Sequence, residues 1–144
     1  MYPEMRRKKQ ALSPAACDAI LQAGTSGVLA LAGADGQPYA VPLSYVYHEG
    51  KIYFHCAKTG HKLDLLDQNP KVSFCVIGQD QVVPEQYTTY YRSVIVFGTV
   101  RRLTGEDEKR AAIQALARRY SRTSRRRASK PRSPATGTPS VCSS

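Results

Sequence analysis

Residues 28–47, VLALAGADGQPYAVPLSYVY, hold two apolar runs separated by a turn. VLALA (28–32) reads as a short apolar strand, and GADGQ (33–37) as a turn, because Asp35-Gly36 supplies the positive φ that a tight hairpin needs. YAVPLSYVY (39–47) is its partner strand, in which Val41, Leu43 and Tyr45 alternate as in any half-buried strand. Pro42 lies inside that strand and cannot donate a ladder hydrogen bond, so the strand is expected at an open edge, at a bulge or beside a ligand.

Working outward from this hairpin, the β pattern continues. His48-Glu49-Gly50 makes the next turn, and KIYFHCA (51–57) runs back as a third strand. A helix starts near Gly60, with Leu63 and Leu66 on one face, and Asn69-Pro70 ends it. KVSFCVI (71–77) is a fourth strand, residues 78–91 read as a polar loop, and RSVIVFGTVRRL (92–103) is a long fifth strand bent at Gly98. Thr104, with Asp107 three residues on, opens a last helix whose Ala112, Leu116 and Tyr120 form a stripe. On the upstream side, Ser13 caps a helix that has Pro14 at its first position, Ala16, Ile20 and Ala23 on one face, and Gly24 as a left-handed exit. Sequential hairpins with helical insertions predict a mainly β fold, an antiparallel barrel with short flanking helices.

The chain has 144 residues and a formal charge of +10, enough for one core. Arg122, Arg125, Arg126, Arg127, Lys130 and Arg132 supply +6 of that charge from a stretch without an acid, which leaves the remainder mildly basic. The expected organisation is a domain over residues 1–120 and a basic Ser/Arg/Pro-rich tail over 121–144 that lacks core-forming residues and should be disordered. Charge of this kind in a tail supports at most nonspecific nucleic-acid contact, and the domain itself gives no reason to expect a nucleic-acid partner. No apolar run approaches the roughly 20 residues of a membrane span. The basic cluster at 6–9 is not followed by a signal-type apolar stretch, so a cytoplasmic chain is expected. Cys17, Cys56, Cys75 and Cys142 lie apart, with no metal-ligand spacing; reduced thiols and no metal are expected.

One segment carries chemistry. Between FHCA (54–57) and the helix lie Lys58, Thr59, Gly60, His61 and Lys62. The first amides of a helix have no intrahelical partner and carry partial positive charge, so with two lysines nearby they attract phosphate. Gly60 lets the backbone approach closely, and the Thr59 hydroxyl can donate one more hydrogen bond. Taken alone, the same residues also describe a solvated loop with surface lysines.

The ordered set VPLSY, FHCAKTGHKLDLL, NPKVSF and YRSVIVFG resembles the flavin-binding split-barrel family of pyridoxamine 5′-phosphate oxidases, and within it the Nim nitroimidazole-resistance branch. The likeness covers about residues 5–120. It implies an antiparallel split β-barrel that binds FMN, a homodimer with FMN at the interface, and a small-molecule substrate. Val41, Pro42, Leu43 and Ser44 match the strand whose backbone lies along the isoalloxazine ring, and His55 and Cys56, leading into Ala57 and Lys58, match residues near the ribityl chain and phosphate. His61 and Lys62 stand where the family grips the phosphate; Arg92 and Ser93 match a strand that reaches the same flavin, often from the other subunit. His55 also occupies the place of a histidine beside the flavin in Nim proteins, which makes it the one candidate catalytic proton donor.

The implied activity is an FMN-dependent oxidoreductase acting on a small acceptor such as a nitroaromatic; the alternative is a flavin carrier or sensor without turnover. Oxidation of pyridoxamine phosphate itself is disfavoured by the lack of a second basic cluster. Each residue also has a plainer reading: His55 as a hydrogen-bonded core histidine, Cys56, Cys17 and Cys75 as packing, and Tyr87, Tyr90 and Tyr91 as either the roof of a ring or a dimer contact. The chain departs from the family after Tyr120, where a basic tail stands in place of a closing strand.

Overall fold

Ser13 opens the first helix, α1 (Pro14–Ala23), its hydroxyl accepting the Ala16 amide at 3.2 Å while Pro14 takes the first helical position. The computed structural model describes residues 2–121 and 139–143. The strands are β1 (Ser26–Ala32), β2 (Pro38–Ser44), β3 (Val46–His48), β4 (Lys51–His55), β5 (Lys71–Val83), β6 (Thr88–Arg102) and β7 (Pro139–Ser143); α2 (His61–Gln68) and α3 (Glu106–Ser121) complete the elements used below. All strand pairs are antiparallel, in the order β2-β1-β5-β6-β7-β4-β3.

The run 39–47 is not one strand. Tyr45 and Val46 are both buried, so the two-residue alternation slips there, and the chain leaves β2 and enters β3 through a corner. β2 and β3 are the two outer strands of the sheet, so this corner carries the chain from one edge to the other and curls the sheet into a split barrel. Tyr45 fastens the corner: its amide donates to Thr25 O at 3.3 Å and its hydroxyl to Leu21 O at 2.6 Å. Burial pushes the Tyr45 hydroxyl up to about 12. Pro42 sits in β2 opposite Val28, on an edge strand where a missing donor is tolerated.

Three further expectations change. Gly24 ends α1 with φ −67°, not in the left-handed region; its reason for being glycine is space, since a Cβ there would lie 2.4 Å from the Tyr45 hydroxyl and 2.9 Å from Val76 Cγ1. The buried face of α1 runs through Leu21, with Cys17 and Ile20 packed against the core, while Ala23 is exposed. Residues 78–91 are not a loop. β5 and β6 stay paired past a bulge between Ile77 and Gln79 and end in a 3-10 turn at Pro84–Gln86, so the turn-rich composition covers only the tip of a long ribbon.

A strand also follows the last helix. β7 pairs with β4 from Lys51↔Ser143 to His55↔Pro139 and with β6 from Thr99↔Ser143 to Arg102↔Ser140, which joins the two halves of the sheet. Five residues suffice for that ladder, too few for composition to reveal within a Ser/Arg/Pro-rich stretch. The disorder expected of residues 122–138 falls outside the described residues.

Leu29, Tyr45, Phe54, Phe74 and Val76 are fully buried at the barrel centre, and Leu63, Leu65 and Leu66 of α2 pack onto the same cluster. Three arginines tie helices to this frame. Arg101 meets Glu108 of α3 through two hydrogen bonds, of 3.1 and 2.8 Å, and this guanidinium holds the Glu108 carboxyl below its usual range. Arg102 reaches Asp67 of α2 at 3.0 Å, and Arg119 donates to Ala23 O at 2.6 Å.

Candidate functional site

α2 is built against the usual charge pattern, and α3 shows the contrast. α3 carries Glu106, Asp107 and Glu108 in its first turn and Arg118 and Arg119 in its last, matching its dipole. α2 begins His61-Lys62 with Lys58 just ahead, and no side chain caps its first amides. Asp64 is the single acid of that first turn. Gly60 carbonyl oxygen accepts from the Leu63 and Asp64 amides at 3.0 and 3.1 Å, which leaves the His61 and Lys62 amides without intrahelical partners. Gly60 itself sits at φ 149°, ψ 164°, a conformation essentially restricted to glycine, and a Cβ there would meet nothing within 4 Å. Residues 57–61 are exposed and Lys62 is half-buried. Free donors, a helix dipole and nearby cations on an open surface are the chemistry by which an anion such as a phosphate can be held.

The Tyr39 ring meets His61 edge-on, ring centres 5.0 Å apart, which fixes the start of β2 beside the start of α2. From Tyr39 to Pro42 is three residues, about 10 Å along an extended strand. Along β2, Val41 and Leu43 are half-buried and pack against the core, whereas Pro42 and Ser44 are exposed. The packing explanation therefore holds for Val41 and Leu43; what remains for a ligand is the backbone and the outward Pro42 and Ser44.

His55 is exposed at the end of β4, directly after the fully buried Phe54, so it is not a core histidine. Cys56 is buried as a small core member, and Ala57 and Lys58 are exposed after it. Arg92 and Ser93 are not brought to β2 within one chain. Strands β1 and β5 separate β2 from β6, roughly 14 Å at ordinary strand spacing. Ser93 pairs with Ile77 and is half-buried; Arg92 pairs with Gln79 beyond the bulge and is exposed.

Sequence reasoning missed a surface that borders this site. In the middle of four adjacent strands the outward positions carry no charge, Ala40, Pro42 and Ser44 on β2, Ser26, Val28 and Ala30 on β1, Ser73, Cys75 and Ile77 on β5, and Ser93, Ile95 and Phe97 on β6, with Lys71 and Asp80 on β5 and Arg101 on β6 bounding the patch. Val28, Ile77 and Ile95 are exposed although apolar. The signal was present as small or apolar residues at the alternate positions of strands whose other face is core, a pattern expected when both faces of a sheet are covered. A cleft of about 360 Å³ adjoins this face at Ile95 and Phe97 and is lined besides by Cys17, Asp18, Tyr47 and Ile52 among others, toward the opposite end of β4 from His55. There the Tyr47 hydroxyl donates to Asp18 Oδ1 at 2.8 Å, which raises its pKa. Among the described residues no group of His, Cys, Asp and Glu is arranged to hold a metal, and no helix is long and apolar enough to cross a membrane.

Comparison with known proteins agrees with this fold. The sequence profile of the pyridoxamine 5′-phosphate oxidase family matches residues 13–141, which reaches into β7. An uncharacterized protein of Rhizobium meliloti strain 1021 is 32% identical over 87 residues, 60% of this chain and 52% of that protein, so the chain spans about half the length of this curated relative. An FAD-binding protein of Mesorhizobium loti superposes with a TM-score of 0.68 at 26% identity, over 91% of this chain and 88% of its own. An FAD- and haem-binding protein of Mycobacterium smegmatis gives 0.71 at 25% identity, over 92% and 66%. A candidate 5-nitroimidazole resistance protein of Bacteroides thetaiotaomicron gives 0.75 over 92% and 80%, at 20% identity, a likeness of fold. With the split-barrel architecture and a profile match from the first helix to the last strand, the chain belongs to the pyridoxamine 5′-phosphate oxidase family.

Proposed function

We propose that this protein binds FMN and is a flavin-dependent oxidoreductase that passes electrons to a small, nitroaromatic-type acceptor. The observation that carries the proposal is the uncapped, basic start of α2 beside the edge strand β2. The FMN phosphate fits there: the His61 and Lys62 amides, the Lys58 and Lys62 side chains and His61 would hold it, and the ring would lie along residues 41–44. Bound flavin supplies the redox chemistry, and the chain's residues bind it, orient it and restrict water. His55, exposed next to the phosphate loop, is the residue available to donate a proton to a reduced acceptor. Pro42 and Ser44 belong to the uncharged part of the sheet face, so a second copy seated on that face would border the flavin. This supports a homodimer with FMN at its interface.

Purified protein should be yellow, and denaturation should release FMN rather than FAD. At a solvent-open site each charged hydrogen bond to the phosphate contributes about 1–1.5 kcal/mol, so the double replacement His61→Ala, Lys62→Ala should weaken FMN about 30- to 150-fold. A colourless protein that takes up no added FMN would sink the proposal. Bound flavin that is never reduced by NAD(P)H, or once reduced is never reoxidised by a nitro compound, would leave the binding function and replace the oxidoreductase with a carrier.

A further inference from the structure

Three basic side chains stand around the start of α2: Lys58, His61 and Lys62. Among the described residues the side chains of Lys58 and Lys62 have no hydrogen-bond or ion-pair partner, so each ammonium swings on a four-carbon stem as a charge without a fixed direction. His61 differs. Its ring lies at a right angle to that of Tyr39, ring centres 5.0 Å apart, a geometry that aromatic pairs favour. An imidazole is planar and its N–H directions follow the ring, so restricting the ring restricts where it can donate.

Tyr39 can act as a fixed point because it is itself held. It pairs with Leu31 of β1, and directly paired residues share a face of the sheet. Leu31 is buried, and Tyr39, half-buried, packs against the main core cluster. The hairpin that carries Tyr39 is also fastened to the far end of α2, where Gln68 Oε1 accepts the Ala34 amide at 2.8 Å. α2 is thus tied to the β1–β2 hairpin at its last turn through Gln68 and at its first through His61. His61 is exposed, so its contact with Tyr39 adds little buried area to the core. What the contact does is restrict one imidazole beside the His61 and Lys62 amides, which have no intrahelical partners.

We propose that Tyr39 is a positioning residue of the candidate flavin site: its ring holds the His61 imidazole ready to donate to the FMN phosphate, so that His61 is the directional donor of the basic cluster while Lys58 and Lys62 supply charge. This rests on the FMN reading above. A ring restricted before the ligand arrives loses less freedom on binding, which is where the gain in affinity arises. The test is a double-mutant cycle on FMN affinity, measured by flavin fluorescence in the full chain, with the parent, Tyr39→Leu, His61→Ala and the double variant. His61→Ala should weaken FMN about five- to twelvefold, the loss of one charged hydrogen bond. Tyr39→Leu should weaken it about two- to fivefold, within the worth of one edge-on aromatic pair, and should have no further effect once His61 is alanine. Tyr39→Phe keeps the ring and should bind as the parent does. In the ligand-free protein, the NMR signals of the His61 ring protons should carry a ring-current shift that persists in Tyr39→Phe and disappears in Tyr39→Leu. Should Tyr39→Leu not fold, Tyr39→Ile, a better strand former, takes its place in both measurements. A Tyr39 effect that persists in the His61→Ala background, an FMN affinity that Tyr39→Leu leaves unchanged, or His61 ring signals that do not respond to Tyr39→Leu would overturn the proposal. A parent protein that takes up no FMN would remove the FMN reading and this role with it, whereas a parent that binds FMN and gives an additive cycle would remove this role alone.

Discussion

Replacing Gly60 by Ala separates the conformation of the phosphate loop from its charge. At φ 149°, ψ 164° an L-residue is strained, and the added methyl would meet nothing within 4 Å, so the whole effect is backbone energy, about 1–3 kcal/mol. That energy must appear somewhere. If the loop holds its shape, the variant pays on folding: apo protein should melt about 3–10 °C lower and bind FMN normally. If the loop relaxes instead, the apo protein keeps its melting temperature and FMN binding weakens about 5- to 150-fold, because binding must restore the strained shape. Calorimetric melting of the apo protein and a fluorescence titration with FMN measure the two parts, which should total about 1–3 kcal/mol. Gly36→Ala is the control, since Gly36 also has positive φ, 78°, with open space around it, but lies in the β1–β2 turn. It should lower stability and leave FMN affinity alone. A Gly60→Ala protein unchanged in both assays would refute the assignment of this backbone shape to the loop that binds the phosphate.

Gly24→Ala should destabilise by about 2–4 kcal/mol, combining overpacking with loss of the Tyr45 to Leu21 bond; a melting curve like the parent's would mean that Tyr45 can move aside at no cost. Tyr45→Phe should cost about 1–2 kcal/mol at neutral pH. Because burial raises the Tyr45 pKa to about 12, folding favours the neutral phenol; its contribution is complete below pH 10 and is lost as pH rises from 10 to 12. The gap between parent and Tyr45→Phe in denaturant titrations should therefore narrow across that window, and a constant gap would contradict the buried-phenol account. Phe74→Ala, at a fully buried position in contact with Tyr45, should cost about 3–5 kcal/mol and abolish the fold or leave a strongly destabilised one.

How far the sequence could be read depended on whether local residues or distant partners decide a feature. Ser13-Pro14, Asp35-Gly36 and Asn69-Pro70 determine their own neighbourhoods, and the helix start and the turns lie at or within a residue or two of where those residues put them. The corner at Tyr45 was not legible, because YAVPLSYVY alternates well enough to read as one strand until the burial of two successive residues breaks it. The part of the β5–β6 ribbon beyond Ile77 was hidden for a related reason. Glycine, glutamines, proline and two acids in 78–86 have turn composition, yet cross-strand pairing holds five further residue pairs together. β7 depends wholly on distant partners: its ladders are to β4 and β6, and nothing nearby in the chain announces them. Within the candidate site, the basic start of α2 was legible from local charge and glycine, while the separation of Arg92 from β2 required the strand order.

The reversed charge of α2 is the strongest link from physics to function in this fold. Helix stability alone would favour acids at its start and would penalise His61 and Lys62 by a few tenths of a kcal/mol each. α3, in the same chain, obeys that preference at both ends, so the exception in α2 is local. α2 is held by Leu63, Leu65 and Leu66 in the core, by Arg102 on Asp67 and by Gln68, whose side-chain oxygen accepts the Ala34 amide at 2.8 Å. Tertiary anchoring of this kind lets a helix keep an unfavourable terminus, which a bound dianion would then turn into a favourable one. The same terminus sits beside β2, at the margin of the sheet face that carries Pro42, Val28, Cys75 and Ile95. Local frustration at one end of a helix thus lies beside an edge strand with exposed backbone, and the phosphate of the proposed FMN would relieve it.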